Sequence, residues 1–386
     1  MNYFLTDEQL MIRELVRKIA EEKIKPVREH YDKTGEFPHE IVRILAESDI
    51  FRVCFPKEYG GLGGGVLDMA IITEELSRGC GGIALAFAAT ILGSFPILLF
   101  GSEEQKRRYL PDIADGKRLA AFALTEPNAG SDAGAIQTRA TRNGDFYILN
   151  GTKQWITNGG EADIYTVIAI TDPTKGARGA SAFIVEKGTP GFEFGKKEDK
   201  MGIRASATRE LIFTDCRVPR ENLLAREGMG FVIAMKTFDY SRPGVAAQAL
   251  GIAQAALEEA LQYSRIRHQF GKPINSFQGI QWMLADMATQ IEAARALIYC
   301  VARAIDNGEK NIAKLSAMTK VFASDIAMRV TTDAVQIFGG YGYMREYPVE
   351  KMMRDAKITQ IYEGTNQILR NVIAANLIKE SAGKSE

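Results

Sequence analysis

Along the first 120 or so residues the apolar positions recur at three- and four-residue intervals, the spacing of helices packed on one face. Leu10, Ile12, Leu15, Val16 and Ile19 make one such set, with Thr6 and Asp7 as capping residues before it and Pro26 disturbing its end. A second helix is expected after Pro38, through Ile41, Ile44 and Leu45, and the glycine-rich residues 56–65 form a turn into a third. From Leu119 the pattern changes to short β-rich runs. Residues 146–149 and 152–157 flank Asn150-Gly151, a strong hairpin signal, and residues 164–170, 181–186 and 210–218 continue the series. No long helical pattern intervenes, so the middle of the chain is expected to be antiparallel β and not βαβ. After Gly228 and Gly230 helical spacing returns over residues 244–265, with Pro243 at the start or at a kink, then 276–306 and 312–337. A last stripe, Ile368, Leu369, Val372, Ile373 and Leu377, follows Thr365 and Asn366 as N-cap candidates. The expected fold is α+β: an N-terminal helical domain (1–119), a middle antiparallel β domain (120–227) and a C-terminal four-helix bundle (228–386).

Composition narrows the function classes. Lys plus Arg and Asp plus Glu number 48 each, so no basic excess marks nucleic acid, and the charged run 103–108 reads as a solvated helix face. Cys54, Cys80, Cys216 and Cys300 lie far apart and, with three scattered histidines, show no metal-site spacing; reduced cysteines in a cytoplasmic protein are expected. The sequence starts without a signal or transit pattern, and the apolar residues 83–100 contain Gly93 and Pro96, which suits a bent, buried helix better than a membrane span. The glycines of residues 56–65 contain neither G-x-G-x-x-G nor G-K-[ST].

The chemistry-bearing stretch is residues 361–368. Helical spacing over 352–361 is broken at Gly364, which strands Glu363 at a helix break between apolar segments. A carboxylate there can serve as a general base with its proton affinity raised by desolvation. The alternative is an ordinary helix-end glutamate pairing with Arg354, Lys357 or Arg370.

The wider context resembles a known family. Asp333-Ala334-Val335-Gln336-Ile337-Phe338-Gly339-Gly340, then Glu346-Tyr347-Pro348-Val349-Glu350, Arg354-Asp355-Ala356-Lys357 and Tyr362-Glu363-Gly364-Thr365 resemble the C-terminal signature of the acyl-CoA dehydrogenases. Residues 122–132 and Trp155-Ile156-Thr157-Asn158-Gly159 resemble that family's two flavin-side motifs, and the resemblance runs from Leu5 to Leu377, nearest to the short- and medium-chain type such as butyryl-CoA dehydrogenase. It implies FAD bound by Phe122, Leu124, Thr125, Gly130, Ser131, Trp155, Ile156 and Thr157. It further implies Arg267, Phe270, Gln278, Gln336, Gly339 and Gly340 reaching the cofactor of another subunit, and Thr365 and Gln367 touching it near the base. Ser131, Asp239, Arg242, Tyr362 and Gly364 are the implied substrate contacts.

The reaction implied is dehydrogenation of an acyl-CoA. Glu363 removes the α-proton, the flavin N5 receives the β-hydrogen as hydride, and the electrons pass to an electron-transfer flavoprotein. The backbone N–H of Glu363 and the flavin ribityl 2′-hydroxyl are the implied donors to the thioester oxygen. Isovaleryl- and long-chain-type members place their base at the position of Ser241, and serine cannot do that work. A homotetramer, a dimer of dimers, is the implied assembly. An acyl-CoA oxidase, an enoyl-CoA reductase and a non-catalytic flavoprotein scaffold are the competing readings. Phe87, Ile91 and Phe95 share one helix face; if that face looks into the acyl tunnel, the substrate is short, branched or cyclic.

Overall fold

A computed structural model describes residues 3–382; residues 1, 2 and 383–386, at the outer ends of the first and third expected domains, lie outside the described residues. The N-terminal layer comprises α1 (Asp7–Ile19), α2 (Arg28–Thr34), α3 (His39–Glu47), α4 (Val66–Gly79), α5 (Gly81–Phe100) and α6 (Glu103–Ala114). Thr6 starts α1 as a capping box: its side chain accepts from the Gln9 N–H, and the Gln9 side chain accepts from the Thr6 N–H. α5 is long and apolar enough to cross a membrane, but most of it is buried inside the protein, between α4, the sheet and the C-terminal helices.

The middle layer is one sheet: β1 (Ala120–Ala123), β2 (Arg139–Asn143), β3 (Phe146–Thr157), β4 (Ile164–Ile170), β5 (Ala180–Glu186), β6 (Phe192–Lys197), β7 (Thr208–Pro219) and β8 (Leu223–Leu224). Its order is β6-β7-β3-β2-β4-β5-β8, with β1 beside β4. Two expectations are corrected here. The sheet is mixed: most pairs are antiparallel, but β1 and β2 both run parallel to β4. And Asn150-Gly151 is no hairpin. β3 runs straight through it, with a register shift against β7 between Leu149 and Gly151, so the pair marks a bulge. The hairpin lies earlier, where Asn143 pairs Phe146 around Gly144-Asp145 and Gly144 takes the positive φ of +59° that the tight turn needs.

The C-terminal layer is α7 (Gly230–Ile266), the short β9 (His268–Gln269) and β10 (Lys272–Pro273), then α8 (Gln278–Asp306), α9 (Ile312–Phe338), α10 (Val349–Ile358) and α11 (Asn366–Ala382). α7, α8, α9 and α11 form the expected bundle, and α7 also packs on α4 and α5. Pro243 neither starts nor ends α7. It lacks the N–H that would bond the Asp239 carbonyl, and that carbonyl instead accepts from Ser316 Oγ on α9 at 2.8 Å. α7 therefore continues through the proline as one helix that touches every layer.

Candidate active site

α10 ends at Ile358, and the chain turns through residues 359–365 before Thr365 caps α11, its Oγ1 accepting from the Ile368 N–H at 3.3 Å. Within this turn Glu363 has φ +52° and Gly364 φ +99°. A left-handed non-glycine residue costs roughly 1–3 kcal/mol and persists only where its surroundings over-determine it. Here they do. Arg242 Nε donates to the Glu363 carbonyl at 3.1 Å, and Lys320 Nζ donates to the next carbonyl, that of Gly364, at 2.8 Å. Lys320 also donates to Asn366 Oδ1 at 2.9 Å, and Asn366 Nδ2 donates to Ser324 Oγ and Asp325 Oδ1 at 2.8 Å each. At Gly364 a Cβ would come within 2.9 Å of Leu369, besides meeting the unfavourable φ.

The Glu363 carboxylate accepts from Ser241 Oγ at 2.5 Å. None of the ordinary ion partners is available to it. Arg354 is engaged by Asp32 and Glu350, Arg370 by Asp325, and Lys357 by the Gln360 side chain. Burial raises the proton affinity of Glu363 above the usual carboxylate range, against the pull of Ser241, Arg242 and Lys320. Burial likewise pulls Lys320 down to about 7 and lowers Arg242.

Glu363 faces a cavity of about 120 Å³ enclosed by α4, α5, the ends of β1 and β3, and α7. Its walls are Met69, Leu85, Ala88, Ala89, Leu92, Phe122, Leu124, Thr125, Trp155, Ile156, Thr157, Phe238, Ser241, Gly244, Val245, Gln248 and Tyr362. Glu363 is the one carboxylate among these described residues. Buried Gln248 accepts from the Tyr362 hydroxyl and donates to the Gly81 carbonyl at 2.9 Å, a polar tie across the cavity wall. The helix face that enters the cavity is Leu85, Ala88, Ala89 and Leu92. The condition set for the stripe of Phe87, Ile91 and Phe95 is therefore not met at this cavity: Phe87 packs onto Phe51 and Phe95 onto Tyr240, and none of the three lines it.

The opposite wall is the strand ends. Trp155 holds φ +57° and leaves 55% of its surface exposed, an uncommon combination for a large aromatic residue. Phe122 meets Phe238 edge-on at 5.5 Å. Behind this wall Lys153, fully buried, pairs with Glu126 at 2.7 Å and donates to the Leu124 carbonyl at 2.9 Å. Glu126 also accepts from the N–H groups of Gln137 and Thr138 at 2.6 and 3.0 Å. One buried ion pair thus ties β3 to the turn after β1, and so fixes Leu124 and Thr125 at the rim.

Eight of the sequence-nominated residues meet here: Phe122, Leu124, Thr125, Trp155, Ile156, Thr157, Tyr362 and Glu363. Arg242 and Gly364 lie directly behind, and Asp239 sits beside Arg242 at 3.5 Å. Gly130 and Ser131 are exposed on the turn after β1, and Thr365 and Gln367 begin α11. Arg267, Phe270, Gln278, Gln336, Gly339 and Gly340 are not part of the cavity. They sit on the far ends of α7 and α9 and the start of α8, mostly exposed, with Arg267 over the Tyr341 ring at 5.2 Å and Phe270 93% exposed. Sequence reasoning missed Lys320, Gln248 and the Lys153–Glu126 pair. For Lys320 a signal exists: it shares a helix face with Ala317, Ala323, Ser324 and Ala327, an odd place for a lysine unless it has buried work. A larger cleft of about 980 Å³ lies elsewhere, between α2, the segment after β6 and α10, and most of its charged side chains are ion-paired with one another or with neighbours. No described group of His, Cys, Asp and Glu is arranged to hold a metal.

Comparison with known proteins agrees over the whole chain. Family profiles for the N-terminal, middle and C-terminal domains of acyl-CoA dehydrogenase match residues 6–117, 121–216 and 228–378. A short-chain-specific acyl-CoA dehydrogenase of Megasphaera elsdenii is 52% identical over 384 residues, 98% of this chain and 100% of that protein. The acryloyl-CoA reductase (NADH) of Anaerotignum propionicum is 50% identical over 381 residues, 98% of this chain and 96% of that one. Among solved structures, butyryl-CoA dehydrogenase from Megasphaera elsdenii superimposes with a TM-score of 0.95 at 51% identity, covering 98% and 100% of the two chains. A chain from a structure described as the electron transferring flavoprotein of Acidaminococcus fermentans, concerned with flavin-based electron bifurcation, gives 0.95 at 53% identity, covering 98% and 99%.

Proposed function

The chain belongs to the acyl-CoA dehydrogenase family, and from that premise we propose that it desaturates a short acyl-CoA at the α,β position, with Glu363 as the base that removes the α-proton. The observation that carries this is Glu363 itself: a lone cavity carboxylate, desolvated, held at φ +52° and tied to Ser241 of α7 on the cavity wall. The enzyme is an FAD-dependent oxidoreductase, and the wall at Phe122, Leu124, Thr125 and Trp155–Thr157 fits a planar ring system. The half-exposed, conformationally constrained Trp155 gives it an aromatic face, and Thr125 and Thr157 give hydroxyl donors. FAD, when bound, supplies the hydride acceptor and the store for two electrons.

The chain's own residues do the rest. An α-proton beside a thioester is weakly acidic, so the base must hold a proton readily near neutral pH. Burial of Glu363 does that, while Ser241, Arg242 and Lys320 keep enough of it ionised. The Glu363 N–H is proposed as one donor to the thioester oxygen. Apolar walls at Met69, Leu85, Leu92, Phe238 and Val245 exclude water from the reacting carbons. On the side away from the strand ends the cavity is closed by bulky Met69, Leu85 and Leu92, which supports a chain of few carbons. Ala88, Ala89 and Gly244 leave it width, which supports a branched or cyclic group of the same bulk. Asp239, Arg242, Ser131, Tyr362 and Gly364 are proposed to meet the rest of the acyl-CoA.

Electrons are proposed to leave to an electron-transferring flavoprotein, a partner supported by the Acidaminococcus fermentans neighbour. The half-buried Arg267 and the exposed Phe270, Gln278, Gln336, Gly339 and Gly340 are proposed to reach the FAD of a second subunit, Arg267 pairing with its pyrophosphate, in a cytoplasmic homotetramer. The Anaerotignum propionicum relative supports a second reading, the same residues run as an enoyl-CoA reductase with protonated Glu363 as acid. Glu363→Gln tests both. It should retain FAD and bind acyl-CoA but reduce its flavin slower by at least the ~10²–10⁴ of a positioned base, and a single-turnover rate within about tenfold of wild type would refute the assignment.

A further inference from the structure

Lys320 enters the reading above only as one of three groups that keep Glu363 ionised, yet burying its charge is costly. It is fully buried on α9 and, among the described residues, makes no salt bridge; its ammonium donates to the Gly364 carbonyl and Asn366 Oδ1. A methionine would fill the same space without desolvating a charge, so packing does not account for a lysine there. We propose that Lys320 is a positioning residue for Glu363: its hydrogen bonds hold residues 363–366 in their left-handed turn, and its charge sets the pH range over which the carboxylate can accept the α-proton. This rests on Glu363 being the base.

The charged groups around it are few and can be named. From the loop comes Glu363; from α7, Arg242 with its neighbour Asp239; from α9 itself, Asp325, already engaged by Arg370, Gln360 and Asn366; α11 faces it with the neutral amide of Asn366. Burial pulls Lys320 to about 7, Arg242 adds to that lowering, and Glu363 and Asp325 oppose it. Two buried groups of opposite charge, one pushed up and one pushed down, thus titrate toward each other. While Glu363 is ionised it helps keep Lys320 charged, and Lys320 in turn lowers the proton affinity of Glu363. When Glu363 takes up the α-proton that support is lost. Without Lys320, the carboxylate stays protonated to higher pH, so the acid limb of the rate profile moves up.

The test uses Lys320→Met, Lys320→Gln and Lys320→Arg in the full chain loaded with FAD. Two pH profiles are recorded: flavin reduction by butyryl-CoA, and, without turnover, affinity for acetoacetyl-CoA, an enolisable non-substrate. In the Met and Gln variants the acid limb of both should rise by about 0.5–1 pH unit, at or just below the ~1 unit minimum of a directly adjacent opposite charge, since Lys320 bonds the loop and not the carboxylate itself. The Arg variant should return the limb toward wild type. A limb within about 0.2 unit of wild type in a folded Met or Gln variant overturns the proposal, as does an Arg variant displaced as far as Met. If Met does not fold, Gln decides; if neither holds FAD, the role is structural and the proposal fails. Glu363→Gln separates the two readings: were it to reduce flavin normally, the base assignment would fall first.

Discussion

Lys153→Met should lower the stability of the protein by about 3–5 kcal/mol, the cost of stripping one partner from a buried ion pair. The pair is as buried as such pairs become, with Lys153 at 0% and Glu126 at 6% side-chain exposure and 2.7 Å between them. Burial pulls Lys153 down to about 8, against the pull of Glu126; burial also pushes Glu126 up, but Lys153 and its hydrogen bonds hold it below its ordinary value. In the variant, Glu126 keeps two backbone donors, Gln137 and Thr138, which offset part of its isolation. The lost bond to the Leu124 carbonyl adds about 1 kcal/mol to the cost. At roughly 2–4 °C per kcal/mol for a cooperative unit of 150–250 residues, the apparent Tm should fall by roughly 6–20 °C. Far-UV circular dichroism and flavin fluorescence should report it together, since the pair anchors the strand ends at the proposed flavin wall. Adding Glu126→Gln removes the stranded charge, so the double variant should recover at least ~1–2 kcal/mol over Lys153→Met alone. A Tm within about 2 °C of wild type, or a double variant less stable than the single, would refute the reasoning.

Arg267→Ala should release FAD on dilution more readily than wild type, because the exposed end of α7 is proposed to serve a neighbouring subunit; a stable, fully flavin-loaded monomer in sedimentation would rule that out. Across saturated acyl-CoAs from butyryl to palmitoyl, with a cyclic acyl-CoA included, kcat/KM should peak at short chains and fall off in a graded way, no methylene costing more than ~1–3 kcal/mol, and a maximum at lauroyl or longer would sink the short-chain reading while leaving the dehydrogenase reading intact.

Most of the architecture is legible in the sequence because it rests on periodicity. The α7, α8, α9 and α11 stripes, the capping residues Thr6 and Thr365, and the change of period after Leu119 are local signals, and the structure follows them. What local signals misplace is set by partners distant in sequence. Asn150-Gly151 has hairpin chemistry, but β7 pairs along both sides of it and absorbs the extra residue as a bulge. Pro243 should stop a helix, and does not, because Ser316 satisfies the freed Asp239 carbonyl from another helix. Phe87, Ile91 and Phe95 share a face, but on a helix buried all round a shared face does not say which neighbour it meets.

The site follows the same division. The carboxylate is visible as a glutamate at a helix break, but its direction is not, because Tyr362 and Glu363 are adjacent and their partners lie on one helix. Tyr362 reaches Gln248 and Glu363 reaches Ser241, seven residues apart on α7, two turns along one face that also presents Gly244 and Val245 to the cavity. One helix face therefore orients the carboxylate and supplies part of the cavity's wall. The left-handed backbone at Glu363 lets two neighbouring side chains read that face at once, and the carbonyls it exposes are taken by Arg242 from α7 and Lys320 from α9. A slip of α7 by a single residue would turn its face by about 100° and undo base direction and cavity shape together. The packing of α7 along α4, α5 and α9 is thus part of the chemistry, since it fixes the register on which both depend.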